Sequence, residues 1–390
     1  MVLFFIIVCL MLVLTELIKG LSANGTPPVL QNYFWQMDLA YFMWSNIKIF
    51  RTILMIVIAY LFWQMTIEER SSVIILGIIS LVLWGFIYWF FNHHWVGKKK
   101  FHLLKNPVYT TAINNKIADN EQIMGVNWNG VQKAYPISML FYHHQVTDYI
   151  AGHPIWVTYC GLCRSGRVYD ILIDGKPLEL TLAGAVNYNA VFKDSTTGSW
   201  WRQEMGDAVK GKHKGKVLSD IPMEQMTLKD WLAKHPNSEV LQYDQAYAKK
   251  YEIRNAIMNY EASLPGWHMQ KTPPLIIGIE INGKSKAYDW NQLQKKRIVI
   301  DLVANTPLLL LSSEDGASHF VYDRTVDGET LNFELNNSTL IDTNTQSLWN
   351  IYGRCIEGKF KGEELNIVQN YQQFIRAWIK FHPDSTYYSF

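Results

Sequence analysis

Cysteine is scarce in this chain. There are four in 390 residues: Cys9 in an apolar run, Cys160 and Cys163 as a pair, and Cys355 alone. That is too few for a disulfide-stapled scaffold, so the fold has to rest on packed cores. Charge of one sign is scarce too. Lys and Arg number 36 against 34 Asp and Glu, and no long basic stripe occurs, which argues against nucleic acid as a partner. Phosphate-loop, nucleophile-elbow and zinc-protease motifs are also missing.

Apolar residues are plentiful, at 49%, but they concentrate before residue 96. Three runs stand out, at 2–18, 52–67 and 73–91, with Arg51, Glu68-Glu69-Arg70 and Asn92 as polar stops. A hydrocarbon core of about 30 Å takes roughly 20 apolar helical residues, fewer when the flanks snorkel. The runs therefore predict a membrane region over 1–97 with about three transmembrane helices and the lipid bilayer as partner. The first run lacks the basic start and small-residue cleavage site of a signal peptide. Lys19, Lys48, Arg51, Lys98, Lys99, Lys100 and Lys105 lie on one side of the three runs. The positive-inside rule would place that side, with the soluble part, in the cytoplasm.

The soluble part repeats itself. At an offset of 153, Gly125 falls on Gly278, Ala134-Tyr135 on Ala287-Tyr288, Asp148 on Asp301, Tyr169-Asp170 on Tyr322-Asp323 and Asp174-Gly175 on Asp327-Gly328. After shifts to 148 and 147, Trp201 falls on Trp349, Gly206 on Gly353, and His235-Pro236 on His382-Pro383. Asn-Gly and Asp-Gly between alternating apolar runs mark hairpins. Strands are expected at 132–135, 154–159, 167–173 and 178–182. Helices are expected at 228–234 and 372–380, each ending at a His-Pro step. The fold class is α+β, mostly antiparallel β, tandem-duplicated over 105–245 and 275–390, with a connector over 246–274 containing Pro265-Gly266.

Chemistry points to Val157-Thr-Tyr-Cys-Gly-Leu-Cys-Arg-Ser165. Two thiols three apart, where a strand turns, can converge on one metal or on each other. The second copy has Ser313 and Gly316 in their places, and Lys296 in place of His143. The fold therefore does not need them, and Cys160, Cys163 and His143 become candidate ligands for a transition metal such as zinc, copper or iron. His144, Asp148, Tyr159, Trp200 and Gln203 are the candidates to surround that site, with Asp148 assigned to structure first because the second copy keeps it as Asp301.

The runs Gly125–Gly130, Lys133-Ala-Tyr-Pro136, His143–Asp148, Val157–Cys163 and Asp194–Gln203 resemble, in order, the prokaryotic family known as domain of unknown function 3179. Gly161, His144 and Thr147 depart from its usual proline, acid and asparagine. The family implies no activity. It does imply an exported or anchored location, which sets an extracytoplasmic soluble part against the positive-inside count. Three functions follow: a membrane-anchored metal or redox site, a thiol–disulfide oxidoreductase without metal, and a non-catalytic scaffold. The alternation after Arg164 reads as a strand, unlike the helix that carries the second Cys of a thioredoxin-type site.

Overall fold

The computed structural model describes residues 1–24, 33, 35–67, 71–95, 101–263 and 274–390. Glu68-Glu69-Arg70, Lys98–Lys100 and Pro265-Gly266 lie outside the described residues. The chain is α+β, with mostly antiparallel sheets, short helices and apolar helices at its start. It divides into two compact units.

The first unit comprises residues 1–102, 179–203 and 207–216. Its helices are α1 (Val2–Ala23), α2 (Trp35–Ile67) and α3 (Ser71–Trp89), the last continued by a π-helical turn, Phe90–His94. All three are long and apolar enough to cross a membrane. Phe5, Val8, Leu12, Ile58, Leu61 and Met65 form their buried contact. At one end of the bundle Glu16 is wholly buried and paired with Arg51, and the Asn92 amide donates to the same carboxylate at 3.1 Å. Charges in such surroundings need partners within the bundle.

The second helix is far longer than the apolar run at 52–67. At about 1.5 Å per residue its 33 residues span roughly 50 Å, more than a bilayer core needs. Its early turns instead cover a four-stranded antiparallel sheet: Leu180–Val186, Asn189–Asp194, Trp200–Arg202 and Ala208–Lys210. Met37 and Ala40 pack with Val186, Val191 and Trp200, the Tyr41 ring meets Trp200 edge-on at 5.5 Å, and Asp38 pairs with Lys210. Hydropathy alone ends the apolar run at Thr52. The preceding turns are helical because one face has a sheet to cover. Residues 179–203 and 207–216, which the sequence places within the first repeat, thus group with the helices.

The second unit comprises residues 103–178, 204–206 and 217–390. The order strand, strand, helix, three strands runs over Gln122–Trp128, Val131–Pro136, α4 (Ile137–His143), Gln145–Ile150, His153–Cys160 and Ser165–Asp170. The same order runs over Leu275–Ile281, Lys284–Asp289, a helix at Trp290–Lys296, Ile298–Val303, Thr306–Ser312 and His319–Asp323. Asn129-Gly130, Asp174-Gly175, Asn282-Gly283 and Asp327-Gly328 all hold positive φ at both residues, as two-residue hairpin turns require. The helix Leu228–Lys234 falls where expected, and Ile375–Phe381 starts three residues late because 372–374 continues a strand. Gly125 and Gly278 lie against the Trp231 and Trp378 rings, where an added Cβ would sit at 2.3 and 2.4 Å.

Candidate functional site

Cys160 ends one strand of a hairpin and pairs in register with Ser165, the first residue of the next. Gly161 to Arg164 form the turn, and Arg164 takes a left-handed φ of 58°. The second Cys therefore sits in a hairpin turn, outside any helix. Both thiols are buried, though Leu162 between them is exposed. The turn is held from outside: the Phe374 backbone N–H donates to the Cys163 carbonyl at 2.8 Å, and the Arg376 guanidinium to the Leu162 carbonyl at 2.9 Å.

The Cys163 S–H lies 3.7 Å from the Cys160 carbonyl oxygen, and burial, then the Cys160 side chain, pushes the Cys163 thiol well above its ordinary value. The Cys163 S–H donates to the Ser165 hydroxyl at 3.4 Å, and that hydroxyl donates to Glu204 Oε2 at 2.7 Å. The other Glu204 oxygen pairs with Arg167. This ion pair is almost sealed, with side-chain exposures of 2% and 0%. Arg167 Nε also donates to the Glu204 carbonyl at 3.0 Å, Nη1 to the Gly166 carbonyl at 3.0 Å, and Nη2 to Gln373 at 3.4 Å. The Tyr371 ring lies 3.3 Å from the guanidinium carbon. Burial works against the Arg167 charge, but Glu204 overrides it and holds the guanidinium protonated.

The expected third ligand is committed elsewhere. His143 closes α4 with its ring in a tyrosine cluster, 4.9 Å from Tyr142 and 5.2 Å from Tyr247, and its Nε2 lies 2.7 Å from the Tyr251 hydroxyl. Among the described residues, no group of three or more His, Cys, Asp or Glu side chains is placed to hold a metal ion. The three-donor set of Cys160, Cys163 and His143 is not assembled.

His144 caps α4 with a left-handed φ of 64°, and its carbonyl accepts from Tyr159 N and Thr158 Oγ1. Burial pushes its imidazole down to about 4, against a Tyr159 backbone bond that favours the charged form. Burial likewise pushes Tyr159 up to about 12. Asp148 is structural: one oxygen accepts from the Tyr109 hydroxyl (2.7 Å), the Tyr135 hydroxyl (2.8 Å) and Lys133 (2.9 Å). Trp200 and Gln203 belong to the first unit. There Trp200 is core under α2, and Gln203 accepts from the Asn189 amide at 2.7 Å.

Arg167 and Glu204 escaped the sequence reading. The signal was present in the offsets: Arg167 plus 153 is Phe320, and Glu204 plus 147 is Ile351. The second half carries apolar residues where the first carries a buried charge pair. Comparison with known proteins adds one finding. The sequence profile described as protein of unknown function (DUF3179) matches residues 101–385. No curated protein and no solved structure matches the chain.

Proposed function

We propose, for a chain that belongs to the DUF3179 family of proteins of unknown function, that Cys160 and Cys163 form a membrane-anchored dithiol that exchanges with disulfides. The observation that carries this reading is the placement of both buried thiols on one hairpin turn beside the Ser165–Glu204–Arg167 network. In the exchange, one thiolate attacks a sulfur of an external disulfide and releases one partner thiolate. The second thiolate then attacks the mixed disulfide and releases the other. The protein loses two electrons and two protons, and the partner disulfide gains them. The reading replaces the metal site because two thiols lack a third protein donor among the described residues. Reduced full-length chain mixed with oxidised glutathione tests it. Two glutathione thiols per chain and a Cys160–Cys163 linked peptide are expected. A full equivalent of tightly held zinc, copper or iron, with no linked peptide, would overturn it.

The same proposal includes a tandem origin for 105–245 and 275–390. Supporting it, Tyr288 donates to Asp301 at 2.7 Å beside Lys286, as Tyr135 donates to Asp148 beside Lys133. Trp349 Nε1 donates to Asp342 at 3.2 Å as Trp201 Nε1 does to Asp194. Trp378 Nε1 donates to Ser385 as Trp231 Nε1 does to Ser238. Three membrane crossings by α1, α2 and α3, with the soluble part extracytoplasmic, complete the reading. Disulfide chemistry suits such compartments. A carboxy-terminal topology reporter active only in the cytoplasm would contradict that orientation.

A further inference from the structure

We infer that Glu204 is the proton acceptor for Cys163, reached through the Ser165 hydroxyl, and that Cys163 is the thiol that resolves the mixed disulfide. The inference rests on the dithiol reading above and assigns the order of the two sulfurs. The Cys163 S–H is shared between the Ser165 hydroxyl at 3.4 Å and the Cys160 carbonyl at 3.7 Å, and the Ser165 hydroxyl donates to the Glu204 carboxylate at 2.7 Å. Cys160 begins the reaction: its proton passes to solvent, its sulfur bonds to one sulfur of the external disulfide, that S–S bond breaks, and the first partner leaves as thiolate. Cys163 is the thiol whose S–H meets the Ser165 hydroxyl, so a base inside the protein is within its reach when it becomes a thiolate. As Cys163 Sγ attacks Cys160 Sγ in the mixed disulfide, its proton passes to Ser165 Oγ while the Ser165 proton passes to Glu204. The Cys160–partner bond breaks, the partner leaves as thiolate, and Glu204 ends neutral.

The Arg167 environment fits this role. When Glu204 becomes neutral, a buried guanidinium would ordinarily be orphaned at great cost. Here it keeps the Glu204 and Gly166 carbonyls, the Gln373 oxygen and the Tyr371 ring face. These contacts hold the guanidinium in place while Glu204 is neutral, at the cost of its counter-charge, so the neutral form is short-lived. The corresponding positions of the second half, Phe320 and Ile351, pack in and against one apolar cluster. An apolar filling was therefore open to this fold, and the half with the thiols has an acid and a base instead. Other titratable groups around the pair are Asp220, Tyr169, Tyr371, Glu280 and His382. The Ser165 hydroxyl meets both the Cys163 thiol and Glu204.

The test is stopped-flow reaction of the full chain, in detergent and with Cys9→Ala and Cys355→Ala, against a chromogenic aryl disulfide. Each step releases one coloured thiolate, so the attack and the resolution are read separately. Glu204→Gln should slow the second release on the order of a hundredfold, leave the first unchanged, and make the second rise with pH. Ser165→Ala should slow the same step, and Ser165→Thr, which restores a hydroxyl, should recover it. That pair keeps the test valid if Glu204→Gln folds poorly. A second release of unchanged rate in both Glu204→Gln and Ser165→Ala overturns the relay while the dithiol stands. A reduced parent chain that never gives a second release overturns both.

Discussion

The hairpin of His153–Cys160 and Ser165–Asp170 and the hairpin of Thr306–Ser312 and His319–Asp323 have the same strands and opposite turns. In the latter, Ser313 Oγ accepts from Ala317 N and Ser318 N and donates to Asp315 at 2.6 Å. Such a turn satisfies its own backbone through hydroxyl and carboxylate, as Ser and Asp turns do. In the former, thiols occupy the turn, and Phe374 and Arg376 supply the bonds from outside. Beneath the turns, Thr158 faces Arg167 in one hairpin and Leu311 faces Phe320 in the other. Both turns also take bonds from other segments, Gln294 and Gln122 donating to the Gly316 and Ala317 carbonyls in the second hairpin, but one version rests on an apolar pair and the other buries an ion pair. Buried ion pairs are often matched or bettered by apolar replacements. The costlier version is the one that carries the thiols.

The frame shared by the two regions is the first thing to break. Trp231→Ala and Trp378→Ala should each cost about 3–5 kcal/mol in the full chain, because both rings are wholly buried against a glycine strand. Thermal melting in detergent checks it. A loss at one position only would mean that the two halves are built on different cores.

The charge pair sharpens the contrast. Glu204→Ile alone should destabilise by about 3–5 kcal/mol, since it leaves Arg167 buried without its partner, whereas Arg167→Phe with Glu204→Ile should come within about 1 kcal/mol of the parent or exceed it. A double-mutant cycle on the melting midpoints reads this directly. A double variant as unstable as the single would show that the first half cannot accept the apolar solution.

Acid probes both halves together. His144 and His319 are each pushed down to about 4 by burial. Between about pH 6.5 and 4 the unfolded imidazoles hold protons that the folded ones do not, so stability falls as pH falls through that window. The loss should reach on the order of 2–3 kcal/mol for each histidine below it. Melting midpoints of the parent and of His144→Gln with His319→Gln should run parallel above about pH 6.5, and the parent should lose stability relative to the variant between about pH 6.5 and 4. Profiles that stay parallel throughout would contradict it.

The smallest expected effect is on the turn. Cys160→Ser with Cys163→Gly copies the residues at 313 and 316 and should shift stability by less than about 1 kcal/mol while abolishing exchange. A collapse of the fold would make the thiols structural.

Much of this was legible in the sequence. The paired turns, the helix at 228–234 and the hairpin placement of the thiols follow from Asn-Gly, Asp-Gly, His-Pro and the alternation after Arg164. Three features were not. The early turns of α2 read as loop because their apolar face is narrow and its sheet lies some 140 residues on, as the Gln36 amide reaching the Ala185 carbonyl illustrates. The tyrosine contacts of the His143 ring could not be read from positions that change together. Glu204 lay one residue beyond the Asp194–Gln203 run, and only its partner Arg167, 37 residues back in the chain, gives it meaning.

The most direct measurement is a redox titration of the full chain in detergent, quenched by alkylation and read by mass at each cysteine. The account predicts a single two-electron transition confined to Cys160 and Cys163, with Cys355 alkylated after unfolding at every potential and the melting midpoint little changed across it. Cys160 and Cys163 that stay reduced wherever Cys355 does, or that oxidise only as the chain unfolds, would contradict it.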